Sequence, residues 1–173
     1  MTQNTNLLYE TSVGACIRAL NNISGMLDKA EAFAAERKFD IDVLVQSRLA
    51  PDMFPLGAQV FIACSFAKNL ACRLAGQEPP DYERGPSTIQ SSRALLKRTL
   101  DILGAIKPEA LNGAETREIT FNVAPNTPKT LPGVAYTLRF AMPNIMFHVS
   151  TTYAILRHNG VPLGKADFIG ALD

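Results

Sequence analysis

Proline placement constrains this chain more than any other feature. Of its eleven prolines, all but Pro143 fall between or after the long stretches whose apolar residues recur with helical spacing. Proline lacks an N–H and its ring clashes with the preceding turn, so these positions separate helices rather than occupy their interiors. The stretches they leave intact must bury their stripes against one another.

The first stripe runs through Val13, Cys16, Ile17, Leu20, Ile23, Met26, Leu27, Ala30, Phe33 and Ala34, and predicts a helix of about twenty-five residues. Arg37 and Lys38 close it, as cations favour the carbonyl end of a helix dipole. "DIDVLVQ" follows as a short amphipathic piece with Asp40 placed to cap it. "RLAPDMFP" breaks the pattern, and a second helix starts near Pro55, with Leu56, Val60, Cys64, Ala67, Ala71 and Leu74 as its stripe and Gly76 at its end.

"QEPPDYERGPS" cannot continue a helix and reads as a surface connector. Ser87 with Gln90 then forms a capping-box pattern ahead of a third stripe, Ile89, Leu96, Leu100, Leu103 and Ile106, which Pro108 stops. From position 117 the period changes to two. Ile119, Phe121 and Val123 alternate with polar residues and "APNTP" supplies a turn, so a small hairpin is expected to lie against the helices. "GVAYTLRFAM" opens the last helical stretch, which Pro143 is expected to kink or interrupt before it runs to Gly160, and Phe168 and Ile169 are expected to hold the tail.

The sequence predicts an all-α fold, one domain over residues 1–173, built as a four-helix bundle with a β-hairpin insertion before the last helix. A hydrophobic share of 47% suits a substantial core. With seventeen basic and sixteen acidic residues the net charge is +1, which provides no field for nucleic acid or an anionic membrane. The longest apolar run, "AQVFIACSFA", is too short to span a bilayer, and the N-terminal segment has no export pattern, so a cytoplasmic location is expected. Cys16, Cys64 and Cys72 form neither a CxxC motif nor a disulfide framework and read as small buried residues.

Chemistry-bearing residues concentrate in "PNIMFHVSTTYAILRHNG". Met146, Val149, Tyr153 and Leu156 form an apolar face, and Asn144, His148, Thr151 and Ile155 a mixed one. His148 fits either a metal ligand or a buried core histidine hydrogen-bonded to a carbonyl or hydroxyl. The other histidine, His158, sits in the last helical turn as a surface group. No nucleophile elbow or complete catalytic constellation is present.

Three stretches, "LDKAEAFAAERKFD", "LVQSRLAPDMFPLGAQVFIACSFAKNLACRLAGQEPP" and "FAMPNIMFHVSTTYAILRHNGVPLGKADFIG", resemble the DinB-like (DinB/YfiT-type) superfamily of bacterial four-helix bundles, in a branch catalogued as a domain of unknown function. The resemblance implies an up-down-down-up bundle with a long crossover between the second and third helices, frequently a homodimer. It also implies a divalent metal, zinc or nickel, held by one histidine of the second helix and an HxxxH pair of the last. His148 matches the second histidine of that pair, Asn144 stands at the first, and the second helix offers only Gln59 or Cys64. Related members with intact sites resemble thiol-dependent transferases and isomerases.

Three functions follow. The first is a small-molecule binding or interaction protein with a degenerate metal site, its ligand contacts being Gln59, Asn144, His148 and Thr152. The second is a divalent-metal-dependent, thiol-transferase-like enzyme in which His148 acts with Asn144, Gln59 or Asp52. The third is a structural dimer that buries apolar surface of its first and last helices without a ligand.

Overall fold

The computed structural model describes residues 6–83 and 85–171. Four long helices carry the predicted stripes: α1 (Ala15–Arg37), α3 (Leu56–Leu74), α4 (Ile89–Ala105) and α5 (Met142–His158). The short helix α2 (Asp42–Gln46) lies between α1 and α3, and α6 (Lys165–Ile169) follows α5. Helices α3 and α5 pack together, α4 packs on α3, and α1 lies against both α4 and α5. One continuous apolar cluster fills the space between them, including Leu20, Ile23 and Leu27 of α1, Val60, Leu70 and Leu74 of α3, Leu96 and Leu103 of α4, and Val149, Ile155 and Leu156 of α5. Each such side chain, fully buried, contributes roughly 1.5–3 kcal/mol of transfer free energy, which is why the stripes decide the architecture. Among the described residues no helix is long and apolar enough to cross a membrane.

Several helix ends differ from the sequence reading. Helical structure begins at Leu7 rather than near Val13, because Asn6 caps it by accepting the Tyr9 N–H at 3.0 Å, and a π-helical turn, Glu10–Gly14, leads into α1. Lys38 closes α1 in the left-handed conformation, φ 59°. The capping box before α4 is shifted by one residue from Ser87 and Gln90: Thr88 Oγ1 accepts the Ser91 N–H at 3.2 Å, while Ser91 Oγ accepts the Thr88 N–H at 3.1 Å. A hydroxyl at each position completes the reciprocal pair as well as a serine–glutamine pair would. Asp40 Oδ1 accepts the Asp42 N–H at 3.0 Å, as a capping residue should. Asp42 in turn accepts the Ile89 N–H at 2.7 Å, which ties α2 to the start of α4.

Pro143 does not break the last helix. A helical turn, Gly133–Tyr136, and a π-helical turn, Thr137–Ala141, run directly into α5, the Met142 N–H donating to the Thr137 carbonyl across the widened turn just before the proline. The hydroxyl of Thr137 donates back to the Gly133 carbonyl at 2.8 Å, so this buried polar group is satisfied within the same segment.

The hairpin pairs β1 (Glu118–Ala124) with β2 (Thr127–Pro132), antiparallel, around Asn126 at φ 57°. Ile119 and Phe121 are buried, whereas Val123, expected on the same face, is 44% exposed because the register slips between Asn122 and Ala124. Phe121 packs on Phe140, ring centroids 4.4 Å apart, and on Tyr136 at 4.8 Å, which sets the hairpin against the last helical segment. In the tail, Phe168 packs edge-on against Tyr153, but Ile169 is 40% exposed; Val161 and Leu163 are the buried apolar anchors, and polar contacts add to them. Asn22 Nδ2 donates to the Phe168 carbonyl at 2.8 Å and Lys29 pairs with Asp167 at 2.7 Å.

The connector after α3 runs back along that helix. Lys68 donates to the Pro80 carbonyl, Gly85 lies against the Phe61 ring, and the Pro86 carbonyl passes Gly57 so closely that a Cβ there would sit 2.5 Å from it. The chain thus returns to the first turn of α3 before α4 begins. Arg117 closes the other end by donating to the Leu74 carbonyl, one of the unsatisfied acceptors of the α3 terminus.

Candidate functional site

Helix α3 carries Gln59 on the side that meets α5, and α5 presents His148 to it. Both side chains are buried, at 1% and 9% exposure. The Nδ1 of His148 and the Oε1 of Gln59 are 2.7 Å apart. Gln59 Nε2 donates to the Phe54 carbonyl at 2.9 Å, which fixes the amide so that its oxygen faces the imidazole. An amide oxygen only accepts, so His148 carries its proton on Nδ1 and keeps the Nε2 lone pair as an acceptor. Burial disfavours the imidazolium and holds the His148 pKa below its ordinary value. The ring is a neutral imidazole of defined tautomer. The sequence reading anticipated a carbonyl or hydroxyl partner; the actual partner is a side-chain amide 89 positions away.

Aromatic side chains surround the pair. Phe147 meets the His148 ring edge-on at 5.2 Å between centroids and is itself 57% exposed. Phe66 lies nearly parallel to the imidazole at 6.3 Å. Phe54, whose carbonyl holds Gln59, has a side chain that is 60% exposed. A buried polar pair with exposed phenylalanines next to it combines a hydrogen-bonding centre with an apolar rim.

Thr152 lies one turn after His148 and is completely buried, and its Oγ1 has no hydrogen-bond partner among the described residues. Its neighbour Thr151 donates to the Phe147 carbonyl at 2.8 Å in the usual helical manner. Asn144, one turn before His148, turns its amide back to the Phe140 carbonyl at 2.7 Å. Of the four residues singled out from the sequence, Gln59 and His148 are joined directly, Thr152 adjoins them along α5, and the Asn144 amide is engaged with its own helix. Phe54 and Phe147 escaped the sequence reading; their only signal was exposed aromatic character beside a break and on the polar side of a stripe.

The metal expected from the resemblance does not match the donor set. Among the described residues no three His, Cys, Asp or Glu side chains come together. His148 contributes one imidazole, and the residue facing it is a neutral amide already bonded at both ends. Zinc sites draw three or four ligands from His, Cys and carboxylate groups, so this arrangement is too poor in donors. Cys64, the alternative on α3, is buried, and its thiol is pushed up to about 12 by burial. Cys16 is likewise pushed up to about 12 and makes its contact with Met142 Sδ at 3.9 Å. Neither thiol is poised as a nucleophile. Asp52 is exposed on the loop before α3.

A mostly helical fold with a small antiparallel hairpin before the last long helix matches the DinB-like fold. The chain belongs to the family described as a domain of unknown function (DUF1993), which matches residues 8–169. It is similar to a crystal structure of a DinB family member protein from Shewanella denitrificans, with 39% sequence identity, a TM-score of 0.88, and coverage of 96% of this chain and 93% of that one. Comparison with curated proteins gives no match.

Proposed function

We propose that this protein binds a small molecule between α3 and α5, with the His148–Gln59 pair and Thr152 as its polar contacts. The observation that carries the reading is the Thr152 hydroxyl, which is buried beside a histidine of fixed tautomer and has no partner among the described residues. An unpaired buried hydroxyl costs roughly 1–3 kcal/mol, a cost that a ligand or ordered water with a polar atom at this position removes. Asn144, through its Oδ1, extends the same side of the helix. The exposed rings of Phe54 and Phe147 supply apolar surface for the body of the ligand.

In this reading the helices follow an up-down-down-up order, supported by the connector that brings the chain back to the first turn of α3. The protein pairs as a homodimer through its first and last helices. Support comes from Leu7, Val134 and Leu138, exposed at 73%, 38% and 60%, which sit on the helical turns leading into α1 and α5 and share a groove of about 570 Å³. A cytoplasmic setting agrees with three buried, unbridged cysteines. Nucleic acid and membranes are not partners in this scheme.

Native mass spectrometry with elemental analysis of tag-free protein tests the proposal. The expected result is a retained or titratable small molecule without stoichiometric metal, released by His148→Ala and weakened by Thr152→Val. Stoichiometric zinc or nickel that disappears in His148→Ala would instead establish the divalent-metal-dependent, thiol-transferase-like alternative. Analytical ultracentrifugation tests the dimer separately.

A further inference from the structure

On the face of α3 that meets the returning connector lies a second polar site. Lys68 is only 5% exposed. Its ammonium donates to the Pro80 carbonyl and lies 4.0 Å from the centroid of the Tyr82 ring. Among the described residues no carboxylate reaches Lys68 within salt-bridge distance, and Asp81 acts on its charge only through space. An ammonium has three donors, and one carbonyl with one aromatic face does not use them all. Burying such a group without a paired charge is costly.

The surroundings extend the same imbalance. Arg73, about a turn and a half further along α3, spends one N–H on the Tyr136 hydroxyl at 2.9 Å and likewise has no carboxylate partner among the described residues. Ser65 and Asn69 line the same pocket, and their side chains make no hydrogen bond among the described residues. These four residues line a pocket of about 270 Å³ whose outer wall is the 78–82 stretch of the connector. That volume falls just below the roughly 300–1,000 Å³ of sites for drug-sized ligands, and so suits a small one.

Glu78 and Asp81, both exposed, line the same pocket. Their charges disfavour a polyanion, whereas a single negative charge can be held against Lys68 and Arg73. The rings of Phe61 and Tyr82 flank the pocket with apolar surface. We propose that this pocket binds a small carboxylate, whose oxygens accept from Lys68 and Arg73 and from the Ser65 hydroxyl or the Asn69 amide. The site is separate from the His148–Gln59 pair: Gln59 and Lys68 are nine residues apart on α3, roughly 13 Å along the axis.

The test is a titration of the whole protein with sodium acetate at constant ionic strength, balanced by sodium chloride, reading backbone amide NMR shifts. Saturable shifts confined to residues 65–73 and 78–82 are expected, with inorganic phosphate binding more weakly. Lys68→Met keeps the aliphatic stem and removes the charge, and should weaken acetate binding at least about tenfold. Should Lys68→Met fail to fold, the Ser65→Ala/Asn69→Ala double variant takes its place and should weaken binding several-fold. Shifts that never saturate, phosphate binding tighter than acetate, or acetate affinity unchanged in the folded variant would overturn the proposal.

Discussion

The Nδ1 of His148 on α5 lies 2.7 Å from the Oε1 of Gln59 on α3, and the same glutamine donates its Nε2 to the Phe54 carbonyl at 2.9 Å. This relay ties the last helix, the second long helix and the loop before it through one amide. Because Gln59 and His148 are both buried, removing either leaves a desolvated polar group behind.

Gln59→Leu is expected to destabilise the protein by about 1–3 kcal/mol, since both the imidazole N–H and the Phe54 carbonyl lose their partner. His148→Ala should cost a similar amount. The double variant should cost less than the two together, with a coupling of about 0.5–3 kcal/mol. Urea denaturation of the four proteins measures the cycle. Strict additivity would show that the bond contributes nothing.

Acid should weaken the fold through His148. Its folded pKa lies below the ordinary 6.5 because burial disfavours the charged ring. The unfolded chain therefore takes up the proton first. The corresponding stability is fully present above the unfolded pKa and is lost progressively as pH falls through it toward the folded value. Unfolding free energy measured from about pH 7 to about pH 5 should fall, and His148→Gln should flatten that slope. A variant with the parent's slope would place the titration elsewhere.

Two glycines should respond to alanine with opposite signs. A Cβ at Gly25, within α1, meets nothing within 4 Å, so Gly25→Ala should stabilise by about 0.5–1 kcal/mol through helix propensity. At Gly133 a Cβ would run into the Ala114 carbonyl and crowd Leu74, at the point where the hairpin hands over to the last helical segment. Gly133→Ala should cost at least about 2 kcal/mol. Thermal melts of both variants decide the matter, and a neutral Gly133→Ala would mean that the Ala114 loop yields.

The cysteines should be inert in the native protein. Cys16 and Cys64 are fully buried, with thiols pushed up to about 12, and Cys72 is 2% exposed with its pKa raised by burial. Ellman's reagent should therefore label essentially none of them until denaturant is added, when all three should react. Rapid labelling of one thiol in the native state would reveal a reactive cysteine.

The placement of prolines, the periodic stripes and the change of period at residue 117 were legible in the chain itself, because helix and strand periods are local properties of the backbone. They determined four long helices, a hairpin before the last, and most of the side chains that enter the core, though on the last long helix Ile145, Thr152 and Ile155 are buried where Met146 and Tyr153 were expected. Details that depend on a neighbour were not legible. Pro143 passes without a break because a π-helical turn precedes it, and Val123 leaves the buried face because the hairpin register slips. The sequence marked His148 and Gln59 as polar residues on helices expected to meet. Only packing decided that one amide would fix the imidazole's tautomer, that Asn144 would turn to its own helix, and that Lys68 would be buried with no salt-bridge partner among the described residues. Those outcomes depend on the rotation of α3 against α5 and on the path of the connector, which the summed packing of many distant side chains sets and no local stretch encodes.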